Sequence, residues 1–322
     1  MASSMKPTLS EIRNAQELLA KYFAPTPLQH ATALSTDGAG VFLKLEIGLP
    51  TGSFKPRGAL YALATNMSKR NITEVTASST GNHGAGVTWA AKTLGIPATV
   101  FLPANPNPVK LQTIMNLGAR IVEAGGYDLV HAFLQAREYS ARPGVYFLND
   151  ATDADLPAGP ATIGLEILAQ LPQVAAIYIP MGDTALIRGI GAAVKQTSPR
   201  VKIIGVQAER APSYYLSWKK GEPVPTETCD TCADGLATRT PEPENVQAIR
   251  ELVDDVVLVS EQELLGAIGL LHDREGIVAE PAGAAATAAF LKQPYRHGPV
   301  ALLVTGGNMS DAVRARAGLP AI

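Results

Sequence analysis

Cysteine is nearly missing from this chain: Cys229 and Cys232 are the only two among 322 residues. Two are too few for the disulfide framework that staples small secreted domains. Their Cys-x-x-Cys spacing is half of a zinc site, yet no second ligand pair accompanies it, so they read as two thiols in a loop. Charge is also scarce. Only 17% of residues are charged and the formal net charge is -2, which argues against nucleic-acid and membrane-surface partners. No apolar run reaches the about 20 residues that span a bilayer. The start, Met1-Ala2-Ser3-Ser4-Met5-Lys6, has no apolar signal-peptide core, so a cytoplasmic protein is expected. Gly-x-Gly-x-x-Gly, Walker A and His-Glu-x-x-His strings do not occur, which leaves nicotinamide, nucleotide-triphosphate and zincin chemistry without their motifs.

What is present is regular alternation. Glu11 to Tyr22 reads as a short amphipathic helix, and Pro25-Thr26-Pro27-Leu28 as an extended entry to a first strand at Val41–Leu45. Strand-like runs follow at Val75–Ala77, Ala98–Leu102, Arg120–Glu123 and Val145–Leu148, separated by helical segments Asn82–Leu94, Val109–Leu117 and Tyr127–Arg142. Gly95 and Gly118 sit where helices should stop. A second series runs through Thr162–Gln170, Ala176–Pro180, Ala185–Gln196, Lys202–Gln207, Asp255–Ser260, Glu261–Glu275, Ala282–Lys292 and Val300–Thr305. The Pro- and Thr-rich stretch from Gly221 to Glu244 reads as a surface loop. Strand–helix repetition of this kind predicts an α/β fold, with parallel sheets between helices. The expected division is 1–65 and 151–322 for a large domain, with 66–150 forming a smaller one nested in it.

The stretch Thr51-Gly52-Ser53-Phe54-Lys55-Pro56-Arg57-Gly58-Ala59-Leu60 joins a strand to a helix. Ser53 reads as its N-cap and Pro56 fits the first turn. Lys55 then lies where the helix dipole disfavours a cation. That field, with partial burial, lowers an amine's pKa and leaves it nucleophilic. A lone lysine beside a turn is usually just solvated. In this setting, however, Ser-Phe-Lys-x-Arg-Gly-Ala resembles the pyridoxal-phosphate lysine motif of the threonine dehydratase and serine racemase family, of fold type II. The resemblance implies a two-domain homodimer with pyridoxal 5'-phosphate between the domains, attached to Lys55, and Phe54 packed beside its ring.

Three further junctions match the same family. Ser78-Ser79-Thr80-Gly81-Asn82-His83-Gly84 presents free N–H groups and the positive end of a helix dipole, which suit a carboxylate. A plain capped helix start would look the same. By the resemblance, Ser78, Ser79, Thr80, Gly81, Asn82 and His83 hold the substrate carboxylate, and Asn82 also bonds the cofactor's ring hydroxyl. His83 itself reads as a satisfied structural histidine. At Pro180–Ile187 the family has a run of glycines around the cofactor phosphate; here Gly182, Asp183, Thr184, Ala185 and Leu186 stand there. A carboxylate beside a phosphate dianion is unfavourable. Asp183 is therefore expected to turn outward and cap the helix, leaving Thr184 to face the phosphate. Thr305 stands where the family has the hydroxyl that bonds the pyridine nitrogen, and Glu280-Pro281 and Asp234-Gly235 match as site walls. Gln207 and Ser213 occupy the acidic positions of the family's cation site, so no metal is expected.

The implied function is that of a pyridoxal-phosphate-dependent ammonia-lyase, a dehydratase of a small β-hydroxy amino acid such as threonine or serine. By the resemblance, Lys55 is the cofactor's attachment point and the base at Cα, and the cofactor phosphate protonates the departing hydroxyl. A racemase, with Thr80 as a second acid, or a β-replacement synthase is the alternative on the same scaffold. The altered glycine turn also allows a cofactor-free binding protein. No regulatory domain follows Asn308, so an effector-regulated enzyme is not expected.

Overall fold

Strands buried at every position need cover on both faces, and each of this chain's two sheets has such strands in its interior. The computed structural model describes residues 5–35, 40–79, 81–104, 106, 108–124 and 129–320. The first half of the chain contains α1 (Leu9–Leu19), β1 (Leu28–His30), β2 (Val41–Leu45), α2 (Lys55–Lys69), β3 (Glu74–Ser78) and α3 (Asn82–Leu94). It continues through β4 (Ala98–Leu102), α4 (Pro108–Leu117), β5 (Arg120–Glu123), α5 (Leu129–Tyr139) and β6 (Val145–Phe147). Next come α6 (Ala158–Gln170), β7 (Ala176–Pro180), α7 (Ala185–Thr197), β8 (Lys202–Ala208), α8 (Ser213–Lys220) and α9 (Pro243–Leu252). The chain ends with β9 (Asp255–Val259), α10 (Glu261–Glu275), α11 (Pro281–Lys292), β10 (Val300–Val304) and α12 (Asp311–Arg316).

Six strands form one sheet in the order β1-β2-β10-β7-β8-β9, and four form the other in the order β5-β4-β3-β6. Only the short edge strand β1 runs antiparallel to its neighbour. Every residue of β4, β7 and β10 is buried, as parallel strands covered on both faces require. In the larger sheet, α11 covers one face; its small residues, Ala282 to Ala289, let it pack closely over β10 and β7. Helices α6 and α7 pack against each other as part of the cover of the opposite face.

The structure departs from expectation mainly between residues 213 and 252. Helix α8 was not anticipated, and the expected loop ends at α9, whose Val246, Ile249 and Leu252 are buried. Pro243 opens α9 in the first turn, where its missing N–H costs nothing. The loop's proline and threonine content hid an amphipathic helix just behind it. Gly95 ends α3 in the left-handed region, φ 75°.

Candidate active site

The C-terminal ends of parallel strands are where α/β proteins place ligands. Here such ends of both sheets meet. After β2 the chain returns beside β10: Ser53 bridges to Gly306, and the Phe54 N–H donates to the Thr305 carbonyl at 3.0 Å. Ser53 is therefore not the cap of α2. Its side chain is buried beside Thr51, 3.4 Å between hydroxyl oxygens, and Phe54 takes the cap position with an already helical φ of -66°. The bridge to Gly306 binds Ser53 into the sheet end, one residue too early to cap. Lys55 is the first residue of α2, and its Nζ lies 2.6 Å from Asp150 Oδ2 and 5.2 Å from the Phe54 ring centre.

Asp150 follows β6 at the end of the smaller sheet and was not anticipated. No local motif marks it; the one signal was its place just past a predicted strand. Helix α3 presses on the same lysine, because a Cβ on Gly86 would fall 2.9 Å from Lys55 Cβ. Arg57, two residues on, faces away into a buried ionic cluster. It donates to Glu46 at 2.7 Å and to Glu166 at 2.6 Å, while Lys44 reaches Glu166 at 2.5 Å. Burial would raise the Glu166 carboxyl, but Arg57 and Lys44 hold it below its ordinary range. The arginine of the motif thus anchors α2 and does not reach the site.

In the loop after β3, Ser79 Oγ accepts from the N–H groups of Gly81 at 2.9 Å and Gly84 at 3.0 Å. That leaves the N–H groups of Asn82 and His83 unclaimed among the described residues. Ser78 is buried at the strand end; Thr80 lies outside the described residues. The Asn82 amide donates to Glu280 and accepts from Asn308 at 2.8 Å, so its plane is fixed with one N–H in reserve. His83 bonds the Leu148 carbonyl through Nε2 at 2.8 Å, and its Nδ1 stands 3.8 Å from Asp150. Burial lowers its pKa, which keeps the ring neutral.

The turn between β7 and α7 is built differently from expectation. Thr184 is the N-cap with φ 68°, a left-handed conformation costly for a β-branched residue. Its hydroxyl accepts from Arg188 Nε at 3.0 Å. Arg188 is fully buried; its remaining bonds go to the carbonyls of Met5 at 2.9 Å and Ala151 at 3.2 Å, and none goes to a carboxylate among the described residues. Asp183 does not cap α7. Burial and the nearby Asp150 charge push its carboxyl up to about 7. Gly182 is required by space, since a Cβ there would lie 2.3 Å from the Gly235 carbonyl oxygen. Ala185 and Leu186, buried, open the helix.

Thr305 follows β10, and its hydroxyl bonds no described residue. The far wall is ionic. Lys110 of α4 pairs with Asp234 at 2.6 Å and Glu280 at 2.9 Å, which spans the two sheets' helices. At the family's cation position, Gln207 accepts from the Tyr215 N–H at 2.8 Å and Ser213 donates to the Thr238 carbonyl at 2.8 Å. Cys229 and Cys232 are unpaired thiols, the latter pushed up to about 12 by burial and Glu261.

Comparison with known proteins agrees with this geometry. The family model described as pyridoxal-phosphate dependent enzyme matches residues 19–306. An L-threonine ammonia-lyase of Thermotoga maritima is 37% identical over 305 residues, covering 94% of this chain and 76% of that protein. The crystal structure of a threonine deaminase from T.th. superposes with a TM-score of 0.87 at 35% identity, over 94% of this chain and 98% of the other. Maize serine racemase superposes with a TM-score of 0.90 at 26% identity, over 97% of each chain. These likenesses run along nearly the whole length, and the chain belongs to the pyridoxal-phosphate-dependent enzyme family.

Proposed function

We propose that this enzyme is an ammonia-lyase that converts a small β-hydroxy amino acid, such as threonine or serine, into a 2-oxo acid and ammonia. The observation that carries the reading is the Lys55 amine, held 2.6 Å from Asp150 where the two sheets' strand ends meet, in a chain whose relatives include L-threonine ammonia-lyases.

The residues present fit the cofactor. Thr305 offers an unclaimed hydroxyl for a ring nitrogen, and Asn82 keeps one N–H for a ring hydroxyl. The N–H groups of the turn before α7 and of its first residues, from Asp183 to Leu186, would hold the phosphate. Asp183 is no obstacle, because its raised pKa lets it carry a proton near neutrality, and the buried Arg188 supplies a positive charge behind the turn. When bound, pyridoxal phosphate supplies an electron sink that acidifies the Cα–H of an amino acid. The remaining work falls to the chain. Lys55 is the attachment point and then the base that takes the α-proton. The N–H groups of Asn82 and His83 receive the substrate carboxylate, and Phe54 packs beside the lysine. In this reading the protein acts on small amino acids in the cytoplasm as a homodimer.

Incubation with L-threonine, L-serine and bulkier β-hydroxy amino acids tests the reading. Equal yields of oxo acid and ammonia are expected. Conversion to the D-enantiomer without ammonia would make it a racemase, and capture of an added thiol a synthase. No turnover and no cofactor uptake would leave a binding scaffold. Sedimentation equilibrium checks the dimer.

A further inference from the structure

Asp150 is the one carboxylate within ion-pair distance of the reactive lysine among the described residues, and nothing in the reaction just outlined uses it. Its Oδ2 faces Lys55 Nζ at 2.6 Å and His83 Nδ1 at 3.8 Å, and its side chain is only 15% exposed. The Nε2 of His83 is spent on the Leu148 carbonyl at 2.8 Å, so the ring has its proton there and turns an unprotonated Nδ1 toward Asp150. His83 is then no counter-ion. Lys55 alone balances the Asp150 charge, and it stops doing so whenever its amine is engaged elsewhere. A largely buried carboxylate left without a partner takes up whatever donor next comes within reach. A base acting at Cα stands about 3 Å from its proton's carbon, and the β-hydroxyl oxygen is two bonds further along the substrate. A carboxylate hydrogen-bonded to that base lies on its side of the substrate, where a β-hydroxyl can turn toward it.

We infer that Asp150 is a further catalytic residue: it takes from Lys55 the proton that Lys55 removes from Cα and delivers it to the departing β-hydroxyl. This rests on the ammonia-lyase reading above. The balance closes on the substrate itself. The Cα–H electron pair becomes the π bond of a Cα=Cβ double bond, the Cβ–O pair leaves with oxygen, and the proton travels from Cα through Lys55 and Asp150 to that oxygen, giving water. Lys55 and Asp150 return to their starting charge states, and no other reagent is consumed. The task that resemblance assigned to the cofactor phosphate thus falls to a side chain. The electrostatics agree with this order of events. Burial raises the Asp150 carboxyl, while the paired Lys55 ammonium pulls it below its ordinary range. Loss of the lysine charge removes that pull, so the carboxyl gains proton affinity when it must hold a proton.

The test compares two leaving groups in the holoenzyme. Hydroxide needs a proton to depart, whereas the chloride of β-chloro-L-alanine does not. Asp150→Asn is expected to lower kcat/KM for the hydroxy substrate by about 100-fold or more, and for the chloro substrate at least tenfold less. Asp150→Ala covers the case in which the amide variant fails to fold. Added formate should restore part of its turnover of the hydroxy substrate and leave the chloro rate unaltered. Equal losses on both substrates, without formate rescue, would reduce Asp150 to a support for Lys55 and overturn the inference, as would no loss on either. A wild-type enzyme that releases ammonia from neither substrate sinks the ammonia-lyase reading itself, and is told apart by needing no variant.

Discussion

Asp183 and Thr184 put two unfavourable choices side by side in one turn, and each makes a prediction. The folded chain holds a proton on Asp183 up to about 7, because burial and Asp150 oppose its charge, with Lys55 and Arg188 on the favourable side and Glu242 on the unfavourable. The unfolded chain releases that proton at about pH 4. Between those values the folded state binds more protons, so this group's contribution to stability falls as pH rises, then levels off above 7. Asp183→Asn should flatten that slope in urea melts at pH 5 and pH 8. It should also lessen the drop in cofactor affinity above pH 7, measured by titrating the cofactor-free protein. Thr184→Val keeps the shape of the turn but removes the acceptor of Arg188 Nε. A buried guanidinium N–H left unpaired costs about 1–3 kcal/mol, to be read as a lower unfolding midpoint. Cofactor affinity should weaken with it if the same hydroxyl faces the phosphate.

Helix α2 is held from one side by the site and from the other by the Arg57 cluster. Arg57→Met leaves Glu46 and Glu166 buried with only Lys44 to offset them. A broken buried ion pair of this kind costs about 3–5 kcal/mol. Denaturant unfolding should show that loss, and Glu46→Gln added to Arg57→Met should recover part of it. Elements of this sort were legible in the chain where local chemistry decides: strand-like runs of three to five residues became β3, β4 and β7, and Gly95 ended α3. The lysine on the first turn of α2 could be read from its string alone. Where tertiary partners decide, local chemistry is silent. Ser53 is a good cap by type, yet its bridge to Gly306 claims it. Asp150 gains meaning only when the smaller sheet brings it to Lys55, 95 residues away. Helix α9 was hidden because its apolar stripe is sparse and the stretch before it is rich in proline.

At the scale of the whole molecule, Lys110 ties α4 of the smaller sheet to Asp234 and Glu280 of the larger one. Lys110→Met should leave two buried or half-buried carboxylates facing each other and spread that wall. Faster amide exchange in α4, with β7 and β8 unchanged, is the expected sign. The place of β10 has another consequence, one that concerns synthesis. It is the last strand in the chain, yet it lies between β2 and β7 in the middle of its sheet. The strands of the smaller sheet all lie between residues 74 and 147, and can pair as soon as they emerge. The larger sheet has to wait for residue 300, and until then β2 and β7 present open edges to any neighbouring chain. Thr305 arrives with that same strand. A translation halted before it should therefore yield a sticky, half-folded product that lacks the Thr305 hydroxyl, so the ribosome finishes the sheet and the candidate site in one late step.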